Sequence, residues 1–362
     1  MRKCYMRLQA RLAQVMRSTS RRRRVVGAVG SAAALVLVAA GCGSTGTAGK
    51  SSGTTARSGA AASGTANVAY AGSLQLLDDK VIGPAFAEAT GDRYEGRGGG
   101  SFGVAHEIAA GELTPNVFES VGAGPIALLE PEFTRWYVQV ASSPLVVAYN
   151  PKTPFAPELR AIAEGKEPVS DLFALMEQPG FDLGRTNPDT DPQGQAFYEM
   201  VELARARYHL PVGTVAKLLG TLDNSSQVFA ETALEARLQA GQLDAASAFL
   251  SQAVQLHLPY VALPPAIDFG DPALASSYAE ATLTLTDGQR VHGAPLVVDA
   301  TVLHVEGTTS RSAAAAGAFV AYLLSPAGRR ASRAGGYHLL APRIVGDAEA
   351  APAAVRHAVA VS

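Results

Sequence analysis

The chain is poor in cysteine, in aromatic residues and in net charge, and each shortage removes a class of protein. There are 2 cysteines in 362 residues, Cys4 and Cys42, so no disulfide framework staples the fold and stability must come from a buried core. A formal charge of −2 leaves none of the basic excess that grips a nucleic-acid backbone, which excludes nucleic acid as a partner. The 7 histidines, at 106, 209, 257, 292, 304, 338 and 357, pair with neither Cys nor another His at ligand spacing, so no resident metal or cofactor is expected. No Gly-x-Ser-x-Gly elbow, Walker-type loop or nucleophile–base constellation appears, and none of the common enzyme classes is indicated. There is no internal repeat. The longest apolar run, Val25 to Ala40, is about 16 residues and falls short of the ~20 that span a bilayer.

That run belongs instead to an export signal over residues 1–41. Arg21 to Arg24 supply a basic n-region, and the apolar stretch closes on Val38-Ala39-Ala40-Gly41-Cys42. Small residues leading into a cysteine resemble a bacterial lipobox, in which cleavage before Cys42 lets that residue carry acyl chains. Met16 offers a second start. Ser20-Arg21-Arg22 loosely resembles a twin-arginine motif, yet any basic n-region looks the same, so the route stays open between Sec and twin-arginine export. Residues 42–66 are almost entirely Gly, Ser, Thr and Ala and read as a flexible linker reaching roughly 27 Å. The expectation is a domain tethered to the outer face of the cytoplasmic membrane through lipid alone.

About 280 residues remain, enough for two lobes with their own cores. Val68–Tyr70, Arg93–Glu95 and Asn116–Ser120 read as strands separated by helices. Trp136–Ala141, Leu145–Tyr149, Phe181–Arg185, Ala245–Leu250 and Pro295–Val305 continue the pattern. Alternating strands and helices imply an α/β architecture with ligands at the strand ends. The expected division is 67–142 for the first part of lobe 1, 143–292 for lobe 2 and 293–345 for a return to lobe 1. The Ala-rich segment 346–362 reads as a flexible tail.

The order of several motifs then resembles one family. Ala71-Gly72-Ser73-Leu74, Gly100-Ser101, Trp136-Tyr137, the run Asn187-Pro188-Asp189-Thr190-Asp191-Pro192-Gln193-Gly194, and Leu283 to Ser325 are similar to the archaeal-type tungstate/molybdate-binding proteins of ABC importers. The resemblance implies a two-lobed periplasmic-binding-protein-like fold of type II, each lobe a mixed sheet flanked by helices, with a two-strand hinge and an oxyanion between the lobes. By position, Ser73 and Ser101 would donate to oxyanion oxygens. Asp191 and Glu231 would approach the Mo or W centre, and a family tyrosine that touches the anion falls at Phe249. The implied partners are a permease and its ATPase, and the protein is expected to act as a monomer.

The residues themselves admit two readings each. Ser73 and Ser101 stand where a Gly-containing turn becomes a helix, which suits either an anion site or an ordinary N-cap. Asp191 before Pro192 is a natural N-cap followed by an N1 proline, and Glu231 in a first turn suits the helix dipole. If both carboxylates line the cleft, they separate the candidate anions. Sulfate and phosphate do not add oxygen ligands, whereas Mo(VI) and W(VI) are hard centres that do. Arg97 and Arg185 lie near the same loops and fit either charge neutralisation or plain solvation; His106 reads as a polar-face residue and Trp136-Tyr137 as hinge packing. Two alternatives stay open: the same fold holding sulfate, phosphate or a small organic anion, and a secreted lipoprotein hydrolase using Asp191 and Glu231 as an acid–base pair.

Overall fold

The computed structural model describes residues 63–362; the segment read as an export signal, Cys42 and most of the segment read as a linker lie outside the described residues. Strand β1 (Thr65–Ala71) runs parallel to β2 (Arg93–Gly99) and to β3 (Val117–Val121). Such pairing needs crossovers, supplied by helix α1 (Gly83–Thr90) with the short turns before it and by α2 (Ser101–Ala109). The alternation in Val68-Ala69-Tyr70 is buried on both faces, as a parallel strand covered by helices requires. Strand β4 (Trp136–Ser142) ends the first pass.

The chain then crosses at Ser143-Pro144 into β5 (Leu145–Tyr149), followed by β6 (Leu183–Gly184), β7 (Ala245–Phe249) and β8 (Tyr260–Ala262) in the order β6-β7-β5-β8. Helices α3 (Pro192–Arg207), α4 (Glu231–Gln239) and α5 (Leu250–Gln255) flank this second sheet. A hairpin of β9 (Thr282–Thr284) and β10 (Arg290–His292) precedes the return crossing. Strand β11 (Val297–Val302), α6 (Ser310–Leu324), α7 (Pro326–Ala334) and β12 (His338–Gly346) complete the first lobe. Its sheet order is β12-β4-β11-β3-β1-β2, with β11 antiparallel to both neighbours. The two crossings are tied together: Ser143 N–H donates to Leu296 O (3.2 Å), and Leu145 and Leu296 N–H donate to Asp268 O (2.7 Å) and Phe269 O (2.8 Å).

Two expectations from the sequence are corrected. The first strand begins inside the segment read as linker: Thr65 pairs with Arg93, and Gly64 N–H donates to Asp92 Oδ1 at 2.8 Å. The segment read as a flexible tail is folded. It forms α8 (Ala353–Ala360), lies against α6, and buries Val355 completely. Its alanines carry little periodic signal, but small side chains are what let two helices approach closely. Among the described residues no helix is long and apolar enough to cross a membrane.

Candidate functional site

Between the lobes lies a cavity of about 380 Å³ lined by Gly72, Gly98–Gly100, Thr186, Asn187, Thr190, Asp191 and Val228–Thr232. Three helices begin at it. Gly100 is the N-cap of the 9-residue α2, Asp191 of the 16-residue α3, and Ala230 of the 9-residue α4. The first and last have no side-chain cap, so their first-turn N–H groups and partial positive charge are directed at the cavity. No Lys, Arg or His lines it.

The lobes touch across this cavity through glycine. Gly103 N–H donates to Thr190 O at 3.1 Å, and a Cβ on Gly100 would stand 2.5 Å from that same oxygen. A Cβ on Gly72 would collide with Glu231 Oε2. These two glycines are required by close approach of one lobe to the other.

Asp191 and Glu231, far apart in sequence, come to one wall, 6% exposed each. Asp191 Oδ1 accepts the Gln193 N–H at 2.8 Å, the bond of an N-cap. The capping and lining roles therefore coexist in one residue. Glu231 Oε1 accepts from Gln252 Nε2 (2.9 Å) and Gln193 Nε2 (3.3 Å), and the Ser73 backbone N–H also faces its carboxyl. Burial pushes the Asp191 carboxyl up to about 6. Burial, then the Asp191 charge, then Glu235 raise Glu231 well above the usual carboxylate range. Glu235, which accepts from Gln252 Nε2 at 2.5 Å, is itself pushed up to about 7 by burial. Thr186 Oγ1 is buried beside Asp191 with no partner that meets hydrogen-bond geometry.

The serines and Phe249 sit differently from their expected places. Ser73 and Ser101 are buried, but the wall is made by the preceding glycines, Gly72 and Gly100. Neither serine is an N-cap: Ser101 Oγ accepts the Val121 N–H at 3.2 Å, fixing α2 on β3, and Ser73 O accepts from Tyr337 Oη at 3.2 Å. Phe249, at the end of a buried strand, is 2% exposed and packs in the main core rather than among the cavity residues. Arg97 pairs with Glu107 on the surface (2.7 Å). Arg185 is wholly buried, donates to the carbonyls of Leu219, Thr221 and Leu222, and lies 4.7 Å over the Tyr198 ring. It cross-links lobe 2 and neutralises nothing in the cavity. Trp136 is core. The network of Gln193, Gln252 and Glu235, and the hydroxyl of Thr186 beside Asp191, escaped the sequence reading. Nothing in their spacing separates them from ordinary helix and loop positions.

A larger cavity of about 790 Å³ lies on the other side of the Asp189–Pro192 segment, with Phe102, Val121, Leu128, Leu285 and Leu296 in its walls. It holds a buried carboxyl, Glu199, pushed up to about 8 by burial, and Arg290, His106 and His292 also stand in its walls.

Two lobes, two chain crossings and a cavity fed by helix N-termini define a bilobal binding protein. Residues 66–338 match the model of the bacterial extracellular solute-binding proteins, and the chain belongs to that family. A Haloferax volcanii protein named as an ABC transporter molybdenum-binding protein is 34% identical over 237 residues, spanning 66% of this chain and 72% of the relative. The molybdate/tungstate-binding protein WtpA of Pyrococcus abyssi is 26% identical over 236 residues, spanning 60% and 66%. The periplasmic molybdate-binding protein of Azotobacter vinelandii superposes with a TM-score of 0.50 at 18% identity, over 76% of this chain and 99% of its own. That likeness speaks for the fold.

Proposed function

We propose that this protein captures molybdate or tungstate in the interlobe cavity and delivers it to an ABC importer. The observation that carries the reading is the meeting of two buried carboxyl groups, Asp191 and Glu231, with three helix N-termini around a cavity free of cationic side chains. The helix ends offer N–H groups to the anion oxygens. The carboxyl oxygens offer a hard Mo(VI) or W(VI) centre further ligands, which sulfur and phosphorus do not take. Beside sulfate the same carboxylates would only repel. The names of the relatives from Haloferax volcanii and Pyrococcus abyssi support this choice of anion.

Ser101 serves the anion through its backbone N–H group and Ser73 by holding the Glu231 carboxyl with its own; Phe249 acts from the core, its N–H orienting Gln252. Hinge closure brings the glycine wall of lobe 1 against the carboxyl wall of lobe 2. The protein is exported and held outside the cytoplasmic membrane by acylated Cys42, and it meets its permease as a closed monomer. Calorimetric titration with tungstate, molybdate, sulfate and phosphate tests the reading. Binding of the first two alone is expected; a preference for sulfate or phosphate would replace it with the simpler tetrahedral-anion site.

A further inference from the structure

We propose that Gln193 is a positioning residue that sets both carboxyl groups of the cavity in one fixed geometry, and so determines selection of oxyanions whose central atom accepts extra oxygen ligands. The inference rests on the molybdate/tungstate reading above and names the residue that makes the carboxyl pair work.

Gln193 is fully buried at the second position of α3 and reaches both carboxyls by different groups. Its backbone N–H holds Asp191 Oδ1 at 2.8 Å, and its side-chain Nε2 holds Glu231 Oε1 at 3.3 Å. One backbone donor fixes how the amides point. Phe249 N–H donates to Gln252 Oε1 at 2.7 Å, so that oxygen must face Phe249. Gln252 Oε1 also lies 2.9 Å from Gln193, which must therefore present its Nε2 there and its Oε1 to Ser247 Oγ (2.8 Å). Gln252 Nε2 is then left for Glu231 Oε1 at 2.9 Å. This removes the usual freedom to exchange amide oxygen and nitrogen.

Glu231 Oε1 thus receives two amide N–H groups and acts only as an acceptor. The bond to a ligand falls to Oε2, which lies against Gly72 of the facing lobe. Every member of the network, namely Gln193, Glu231, Glu235, Ser247, Phe249 and Gln252, belongs to lobe 2. The carboxyl pair is consequently assembled before the lobes close, and closure adds the glycine wall and the Ser73 backbone N–H that faces the Glu231 carboxyl. Pre-set geometry is what a coordination bond needs and what a loose electrostatic site does not.

The test uses the full chain with Gln193→Leu, which keeps volume and the backbone N–H but removes the amide, and Ser247→Ala, which keeps the amide but removes the hydroxyl that orients it. For Gln193→Leu, tungstate affinity is expected to fall roughly 10- to 100-fold, as for loss of a hydrogen bond to a charged group. The tungstate-to-sulfate ratio falls with it, whereas a merely structural role would weaken both anions alike. Ser247→Ala is expected to lower the same ratio by a smaller factor, roughly 3- to 10-fold. A folded Gln193→Leu with unchanged affinity and ratio, or a Ser247→Ala with the wild-type ratio, overturns the inference. Failure of the unaltered protein to bind either molybdate or tungstate overturns the underlying reading instead.

Discussion

Substituting Gly72 by alanine tests whether the lobes meet where the structure has them meet. The φ of Gly72 lies outside the left-handed region, so alanine costs the backbone nothing there. Its new Cβ, however, would collide with Glu231 Oε2 and stand 3.2 Å from Glu231 Cδ. The glutamate cannot swing aside freely, because Oε1 is held by amides at 2.9 and 3.3 Å. Giving up one or both of those bonds costs about 2–4 kcal/mol, which falls on the closed state alone. Binding should weaken roughly 30- to 1000-fold, while the melting temperature of the ligand-free protein stays within about 2 °C. Gly103→Ala is the matched control. Its Cβ would come no nearer than 3.6 Å to Thr190 Cβ, so binding should hold within about threefold and α2 should gain ~0.5–1 kcal/mol. Calorimetry and thermal unfolding on both variants decide it. Gly72→Ala with wild-type affinity would show that Gly72 and Glu231 do not meet in the loaded protein.

Burial pushes Glu119 up to about 8 and raises Asp78 well above the usual range, the two carboxyls facing each other in lobe 1 without a cation. A raised carboxyl holds its proton more tightly folded than unfolded, so the stability it contributes is complete below about pH 4.5 and is lost as pH rises through about 8. Thermal unfolding should occur at lower temperature at pH 9 than at pH 6, with a slope near 1.4 kcal/mol per proton per pH unit, flattened by Glu119→Gln. Arg185→Met would leave the Leu222 carbonyl unpaired and remove one donor each from those of Leu219 and Thr221, and should lower urea stability by about 1–3 kcal/mol; no change would mean water replaces the guanidinium. Val355→Ala should cost about 1.5–2 kcal/mol if α8 is packed as described, and nothing if the last residues are frayed.

The long strands were legible because Val, Tyr and Trp runs such as Trp136–Ala141 and Leu145–Tyr149 combine β-branching with bounding turns. Phe181–Arg185 looked similar, yet only Leu183–Gly184 pairs in the sheet, because the Arg185 backbone turns to bridge Val228, its N–H donating to Gln227 O at 2.8 Å and its O accepting from Phe229 N–H at 3.0 Å. The final helix was hidden by its alanines. At the site, residue type gave Asp191 and Glu231 equal claims to capping and binding; only the meeting of α3 and α4 at one cavity places both carboxyls on a shared wall. The serines were read by their hydroxyls when the wall is built from the glycines beside them. Gln193 and Gln252 were illegible because what distinguishes them is a three-dimensional chain of donors running back to one backbone N–H of Phe249.

The most direct measurement is X-ray absorption at the molybdenum edge on the molybdate-loaded protein. Two carboxyl oxygens should appear beyond the four of the free anion, one disappearing in Asp191→Ala and one in Glu231→Ala. Four equal short oxygens in the unaltered protein, with no change in either variant, would mean the carboxyls do not touch the metal centre and that the anion is held by helix N-termini alone.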